Sequence, residues 1–296
     1  MNVGQPTLDQ LRIFLAVADE GSFNRAASKL GRALSVISYG VSSLENQLGV
    51  RLFEREGSRR PALTAAGTAL LADAHAVADE TDSLVGRARS IRQGLETQVA
   101  LAVDVMLPSA TVASILRDFQ TAFPTVDLRL HVEALGAIAA LVWEGKADLG
   151  VAGPDIVDLP ELDRLAVGSV AMVPVAAPAH PLAQQSPIAL GEARKHLQLV
   201  LTDRSPLTEG RNFSVVSPRS WRLADLGAKH ALLLEAIGWG NMPRHAVADD
   251  LAAGRLIELR LPDAPPLDYR LNALWRKDRT PGPATTWILD ALIERC

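Results

Sequence analysis

The fold turns on Gly21-Ser22-Phe23-Asn24-Arg25-Ala26-Ala27-Ser28-Lys29-Leu30-Gly31 and, two residues later, Ala33-Leu34-Ser35-Val36-Ile37-Ser38-Tyr39-Gly40-Val41-Ser42-Ser43-Leu44. Phe23, Ala26, Ala27 and Leu30 stand at i, i+3, i+4 and i+7, one apolar stripe on a helix of about two turns. Gly31 closes it, where a missing side chain allows a left-handed backbone. A longer helix is expected from about Ala33 to Leu48, burying Ile37, Val41, Leu44 and Leu48 and stopping at Gly49. Its opposite face carries Ser35, Ser38, Tyr39 and Ser42 at the same spacing. Short helix, tight turn and longer helix with a small polar face describe a helix-turn-helix, whose second helix enters a DNA major groove. The competing reading is a three-helix bundle with a solvated serine face.

The flanks extend this unit. Upstream, Thr7 and Gln10 form a capping box. Leu8, Leu11, Leu15 and Ala18 recur at helical spacing, with Phe14 and Val17 beside them. Downstream, Val50 to Glu54 and Pro61 to Leu63 bracket the turn-rich Glu56-Gly57-Ser58, so a hairpin is expected with Arg55, Arg59 and Arg60 at its tip. Guanidinium groups there would lie along a phosphate backbone or in the neighbouring minor groove; a solvated surface turn is the alternative.

Composition agrees with a soluble two-domain protein: 296 residues, 48% hydrophobic and 22% charged. The one cysteine, Cys296, excludes a disulfide framework or a multi-thiolate zinc site and fits a reducing cytosol. Asp9 and Arg12 interrupt the first apolar run, so no secretory leader is read, and no stretch of about 20 residues is apolar enough for a membrane span. Residues 21–63 hold seven basic and three acidic groups, while residues 93–296 hold 19 basic and 24 acidic ones. A small basic head thus precedes an acidic body.

Between them, Leu63, Leu70, Val77, Leu84 and Ile91 recur every seven residues, with Gly67, Ala74, Thr81 and Ala88 on a second seam. Sustained heptads indicate a coiled coil. The span from Thr64 to residue 93 would be about 45 Å long as a helix, with Arg87, Arg89 and Arg92 suiting its dipole. Leu70, Ala74, Val77, Thr81, Leu84, Ala88 and Ile91 are read as a dimerisation seam, against the alternative of a helix packed on its own chain.

The body reads as β/α repeats. Strand Gln98–Val105, a helix from Ser109 to Phe123, strand Val126–Val132, a helix around Ile138, Leu141 and Val142, and strand Asp148–Ala152 suggest a parallel α/β domain. A second unit follows: strand Leu165–Ala177, helix Leu190–His196, strands Leu197–Leu201 and Phe213–Val216, and a strong helix Leu223–Ile237. Gly238 to Pro243 reads as a turn, Ala246–Ala253 as helix and Arg255–Leu259 as strand. Pro262 to Pro266 reads as a crossing segment, before a last strand Tyr269–Trp275 and helix Thr285–Glu294.

Four ordered runs make the chain similar to a known family. Leu11-Arg12-Ile13-Phe14-Leu15-Ala16-Val17-Ala18, Gly21-Ser22-Phe23-Asn24-Arg25-Ala26-Ala27, Leu44-Glu45-Asn46-Gln47-Leu48-Gly49-Val50-Arg51-Leu52-Phe53-Glu54-Arg55 and Leu63-Thr64-Ala65-Ala66-Gly67 resemble the winged helix-turn-helix of LysR-type transcriptional regulators. The resemblance implies a winged helix-turn-helix over 1–63, a linker helix over 64–93 and an α/β effector domain over 94–296. That last part resembles periplasmic solute-binding proteins, with lobe I at about 94–161 and 267–296 and lobe II at about 162–266. It also implies double-stranded DNA, a small-molecule effector such as a small organic acid, a homodimer or homotetramer, and RNA polymerase as partners; no cofactor is expected. This chain departs from the family where Ala33, Leu34 and Tyr39 stand at the usual capping serine, base-reading glutamine and phosphate-binding arginine. Leu34 can pack on a thymine methyl but cannot bond adenine. The candidate DNA contacts are Arg32, Leu34, Ser35, Ser38, Tyr39, Ser42, Arg55, Arg59 and Arg60.

In such folds ligands sit between lobes, at strand C-terminal ends and helix N-termini. Leu107, Pro108, Ser109, Leu135, Gly136, Gly153, Thr202, Asp203, Trp221, Arg222 and the stretch from Trp239 to Met242 meet that description. Ser109 alternatively only caps its helix, Arg222 is a surface charge, and either tryptophan is core. No pair of the six histidines has helical zinc-ligand spacing, and nucleophile-elbow and phosphate-loop motifs are missing. The sequence therefore reads as a cytoplasmic, non-enzymatic, ligand-responsive regulator. A metabolic enzyme with an N-terminal interaction bundle and a solute receptor without DNA binding are the alternatives.

Overall fold

The computed structural model describes residues 5–54, 61–92, 94–154, 159–203, 205–211 and 213–296. The chain divides into two compact units, Met1–Arg89 and Ser90–Cys296.

The first unit holds α1 (Leu8–Glu20), α2 (Phe23–Leu30), α3 (Leu34–Leu48) and most of α4 (Ala65–Arg92). The capping box forms: Gln10 N–H donates to Thr7 Oγ1 at 3.3 Å, and Thr7 N–H donates to Gln10 Oε1 at 2.8 Å. α1 ends at Gly21 with φ 56° and α2 at Gly31 with φ 63°. Ile13, Phe14, Val17, Ala26, Ile37, Val41, Leu44 and Leu52 form one core, each large aliphatic contributing about 1.5–3 kcal/mol by leaving water. Phe53 closes it with edge-on contacts to Phe14 and Phe23, centroids 5.6 and 5.7 Å apart. A Cβ on Gly40 would stand 2.6 Å from Ile13 Cδ1, so the glycine lets α1 and α3 approach closely.

Ala74 and Ala78 of α4 are buried in this same core, with Leu70 packed against it, whereas Val77 and Leu84 are exposed. This corrects the heptad reading at Ala74. Its small side chain seats the first half of the helix on its own bundle, leaving Val77, Leu84 and Ala88 outward. Thr81 is half-buried and its hydroxyl donates to the Val77 carbonyl at 2.9 Å. The side chains of Arg87, Arg89 and Ile91 lie outside the described set.

The second unit contains β1 (Gln98–Asp104), α5 (Ser109–Ala122), β2 (Asp127–Glu133), α6 (Gly136–Trp143), β3 (Leu149–Ala152), β4 (Leu162–Ala176), β5 (Gln198–Leu201), β6 (Ser220–Leu223), α7 (Leu226–Leu234), β7 (Gly240–Pro243), α8 (Ala248–Ala252), β8 (Ile257–Glu258), β9 (Leu267–Arg276) and α9 (Pro283–Arg295). Seven strands share one sheet in the order β2-β1-β3-β9-β4-β7, with β8 also on β4; β5 and β6 form a separate parallel pair. The expected parallel sheet holds only for β2, β1 and β3. The long strands β4 and β9 run antiparallel to their neighbours and carry the sheet from one lobe to the other. One core gathers β1, α5 and α9; another gathers β4, β5, α7 and β7.

Three local expectations change. Phe213–Val216 is irregular and the strand is Ser220–Leu223, so α7 starts only at Leu226, where Asp225 accepts the Ala228 N–H at 2.5 Å. Gly240–Pro243 is a strand, not a turn, because its backbone pairs with Met172–Val175. The helix expected at Leu190–His196 shrinks to a 3-10 turn over Glu192–Lys195.

Candidate nucleic-acid interface and effector cavity

On α3, Ile37, Gly40, Val41 and Leu44 are buried while Ser35, Ser38, Tyr39 and Ser42 are exposed, Tyr39 at 75%. Leu34, 45% exposed, stands beside them at the helix start, where Ala33 supplies no side-chain cap. Val36 N–H already donates to the Ala33 carbonyl at 3.0 Å, so in the first turn only the N–H groups of Leu34 and Ser35 are left for an external acceptor such as phosphate. Arg32 is engaged: its Nη1 donates to Asp9 Oδ2 at 2.7 Å and holds that carboxyl below its ordinary pKa. Both groups are exposed, so the pair is weak and can exchange for a phosphate.

The hairpin base is well formed. Phe53 bridges Leu63 in antiparallel fashion, Glu54 N–H donates to the Ala62 carbonyl at 2.9 Å, and Glu45 Oε1 accepts the Leu52 and Phe53 N–H groups at 2.7 and 3.2 Å. A Cβ on Gly67 would lie 2.2 Å from the Leu52 carbonyl oxygen, so α4 leaves the hairpin tightly. Arg55, Arg59 and Arg60 at the expected tip lie outside the described residues.

In the second unit a cavity of about 200 Å³ opens between the lobes. Met106, Leu135 and Pro154 come from the first lobe; Leu199, Leu201, Lys229 and Asn241 come from the second; Met172, Leu267 and Tyr269 come from the connecting strands. Leu135 is at φ 50°, an uncommon backbone for a branched residue, immediately before α6. Behind Tyr269, Asp104 is buried at the end of β1 and accepts the tyrosine O–H at 2.8 Å and the Met106 N–H at 2.9 Å. Burial pushes its carboxyl up to about 6 against those hydrogen bonds. A Cβ on Gly153 would sit 1.9 Å from the Tyr269 hydroxyl, so glycine is required for the ring to reach Asp104.

Of the sequence candidates, Leu135 lines this cavity and Gly153 abuts Tyr269. Thr202 and Arg222 line a separate cleft of about 600 Å³ with Asp203 and Arg211. Leu107 is core, while Pro108 is half-buried and Ser109 exposed at the start of α5, away from the cavity lining. Trp239 and Met242 are corrections. The Trp239 indole is 0% exposed and donates to the Ala193 carbonyl at 3.2 Å, and Met242 packs among Val173, Leu199 and Leu233. Trp221 is 52% exposed on β6 and does not line the cavity. Asn241, inside the Trp239–Met242 stretch read at the cleft, also lines the cavity, while sequence reasoning missed Lys229, Tyr269 and Asp104. A signal existed for two of them: Lys229 falls on the apolar face set by Leu226 and Leu233, and Asp104 ends an apolar strand. Among the described residues, no group of three or more His, Cys, Asp or Glu side chains could hold a metal ion, and no helix is long and apolar enough to cross a membrane.

A helix-turn-helix with an outward polar helix, and a two-lobed α/β body enclosing a cavity, define a ligand-responsive DNA-binding regulator. The family model described as bacterial regulatory helix-turn-helix protein, lysR family, matches residues 8–68, and the LysR substrate binding domain model matches residues 92–296. The chain belongs to the LysR family of transcriptional regulators. It is 29% identical over 289 residues to the probable HTH-type transcriptional regulator YhaJ of Escherichia coli K12, covering 96% of this chain and 94% of that one. It is 30% identical over 257 residues to the HTH-type transcriptional activator AllS of Klebsiella pneumoniae, covering 84% and 93%. Its fold is similar to that of a Corynebacterium glutamicum OxyR C206 mutant (TM-score 0.53, 21% identity, 99% and 92% covered) and of CrgA from Neisseria meningitidis (TM-score 0.53, 21% identity, 97% of each).

Proposed function

We propose that α3 enters the major groove, with Ser35, Ser38, Tyr39 and Ser42 bonding phosphates or base edges and Leu34 packing on a thymine methyl. Arg55, Arg59 and Arg60, which the sequence pattern assigns to the tip of a hairpin, contact the flanking backbone. Two chains pair along the outward residues of α4, Val77, Leu84 and Ala88, which sets two heads at a fixed spacing for a two-fold operator. A small molecule bound between the lobes shifts that spacing through its differential affinity for two arrangements. The protein works in the cytoplasm, performs no chemistry on its effector and acts on transcription through RNA polymerase. The observation that carries this reading is the division of α3 into a buried apolar stripe and an exposed hydroxyl face.

The test is a footprint of the purified protein on DNA upstream of its own gene, at several salt concentrations. Protection of two half-sites is expected, with affinity falling steeply as salt rises and the slope flattening in Arg59→Ala/Arg60→Ala. Affinity that does not change with salt contradicts the reading.

A further inference from the structure

Lys229 is the group in the body that the fold does not explain. It lies on α7 in phase with Leu226 and Leu233, so a helix that otherwise turns leucines inward also turns an ammonium inward. Only 3% of the residue is exposed, and its Nζ donates to the main-chain carbonyl of Asn241 at 2.6 Å. That carbonyl takes one of three ammonium protons and carries no net charge. Among the described residues no carboxylate pairs with it. Asp225 is occupied capping α7, Asp250 holds His230 and Arg255, and Asp104 accepts from Tyr269. Burial pulls the lysine down from 10.5 to about 7. A cation kept this far from water without a counter-charge is costly, and leucine or methionine would fill the same volume at no such cost.

The neighbouring group is also unfinished. Asn241 also lines the cavity, and its Oδ1 is buried with no hydrogen-bond partner among the described residues. Around this polar pair the wall is apolar, built from Met106, Leu135, Met172, Leu201 and Leu267. The volume of about 200 Å³ is below that of a drug-sized site, about 300–1,000 Å³, so the occupant is compact.

We propose that the cavity takes a compact organic anion, one carboxylate on an apolar body, with Lys229 binding the carboxylate. This deepens the regulator reading and rests on it for the cavity being the effector site. A charge-assisted hydrogen bond in a dry pocket discriminates strongly against a neutral isostere, because the ammonium is then left unpaired.

The full chain is titrated by calorimetry at pH 6.5 with matched pairs: benzoate and benzamide, phenylacetate and phenylacetamide, hexanoate and hexanamide. At least one carboxylate is expected to bind tenfold or more tightly than its amide. Lys229→Met is expected to remove that preference while its thermal midpoint stays level or rises. If that variant does not fold, the carboxylate-to-amide ratio of the unmodified protein decides alone. Amides binding as well as carboxylates, or no carboxylate binding while the DNA footprint is intact, overturns the anion assignment and leaves the regulator reading standing. A missing footprint at every salt concentration overturns the regulator reading, whatever the carboxylates do.

Discussion

The head and the body place their polar chemistry on opposite sides of their packing. On α3 the hydroxyls of Ser35, Ser38 and Ser42 face out over a helix held by Ile37, Val41 and Leu44. In the body Lys229, Asp104 and Asn241 are turned inward, among leucines and methionines. An exposed functional face adds almost nothing to stability and can change without disturbing the fold. A buried one is a standing cost that folding must overcome, so binding and stability there are linked.

The largest expected effect sharpens that contrast through pH. The Lys229 ammonium titrates at about 7 in the folded protein and near 10.5 when unfolded. Between those values the unfolded chain binds the extra proton, so stability rises with pH by about 1.4 kcal/mol per unit. Below about pH 7 both states are protonated and the cost of burial is fully present. Urea unfolding of the unmodified protein and Lys229→Met across pH 7–10 should show their difference shrinking as pH rises; a pH-independent difference breaks the account. Next in size, Ile37→Ala should lower the stability of the head by about 2–5 kcal/mol, since it empties a fully buried site between α3 and α1; a loss under 1 kcal/mol (read from the denaturant midpoint) would mean a loosely packed bundle. Smaller still, Thr7→Ala should cost about 1 kcal/mol by freeing the Gln10 N–H that the capping box holds, as reported by the helical circular dichroism melt.

The same contrast governs what could be read from the sequence. The head's elements follow from local rules: glycine stops at Gly21, Gly31 and Gly49, a capping box, and stripes of period 3.6. Part of the body's β/α alternation was legible too, because β1, β2, β4, β9, α5 and α9 each run seven residues or more. The turn expected at Gly238–Pro243 became a strand through pairing with Met172–Val175, a long-range contact that glycine content cannot reveal. Ala74 and Trp239 were misplaced for a related reason. A small residue on a heptad and a tryptophan beside glycines suit a partner or ligand surface as well as a core, and only tertiary packing decides. Lys229 was overlooked because a single lysine in a helix is ordinarily solvent-facing; its phase with Leu226 and Leu233 carried the missing information.

The central claim is that the outward face of α3 meets DNA, and Ser38→Glu tests it most directly. Ser38 is exposed, so a carboxylate there should leave the thermal midpoint within about 0.5 kcal/mol equivalent of the unmodified protein. Set against phosphates, the same carboxylate should weaken operator binding by a factor on the order of 100, measured by fluorescence anisotropy on the footprinted duplex. Unchanged affinity with an unchanged midpoint would show that this face does not touch DNA.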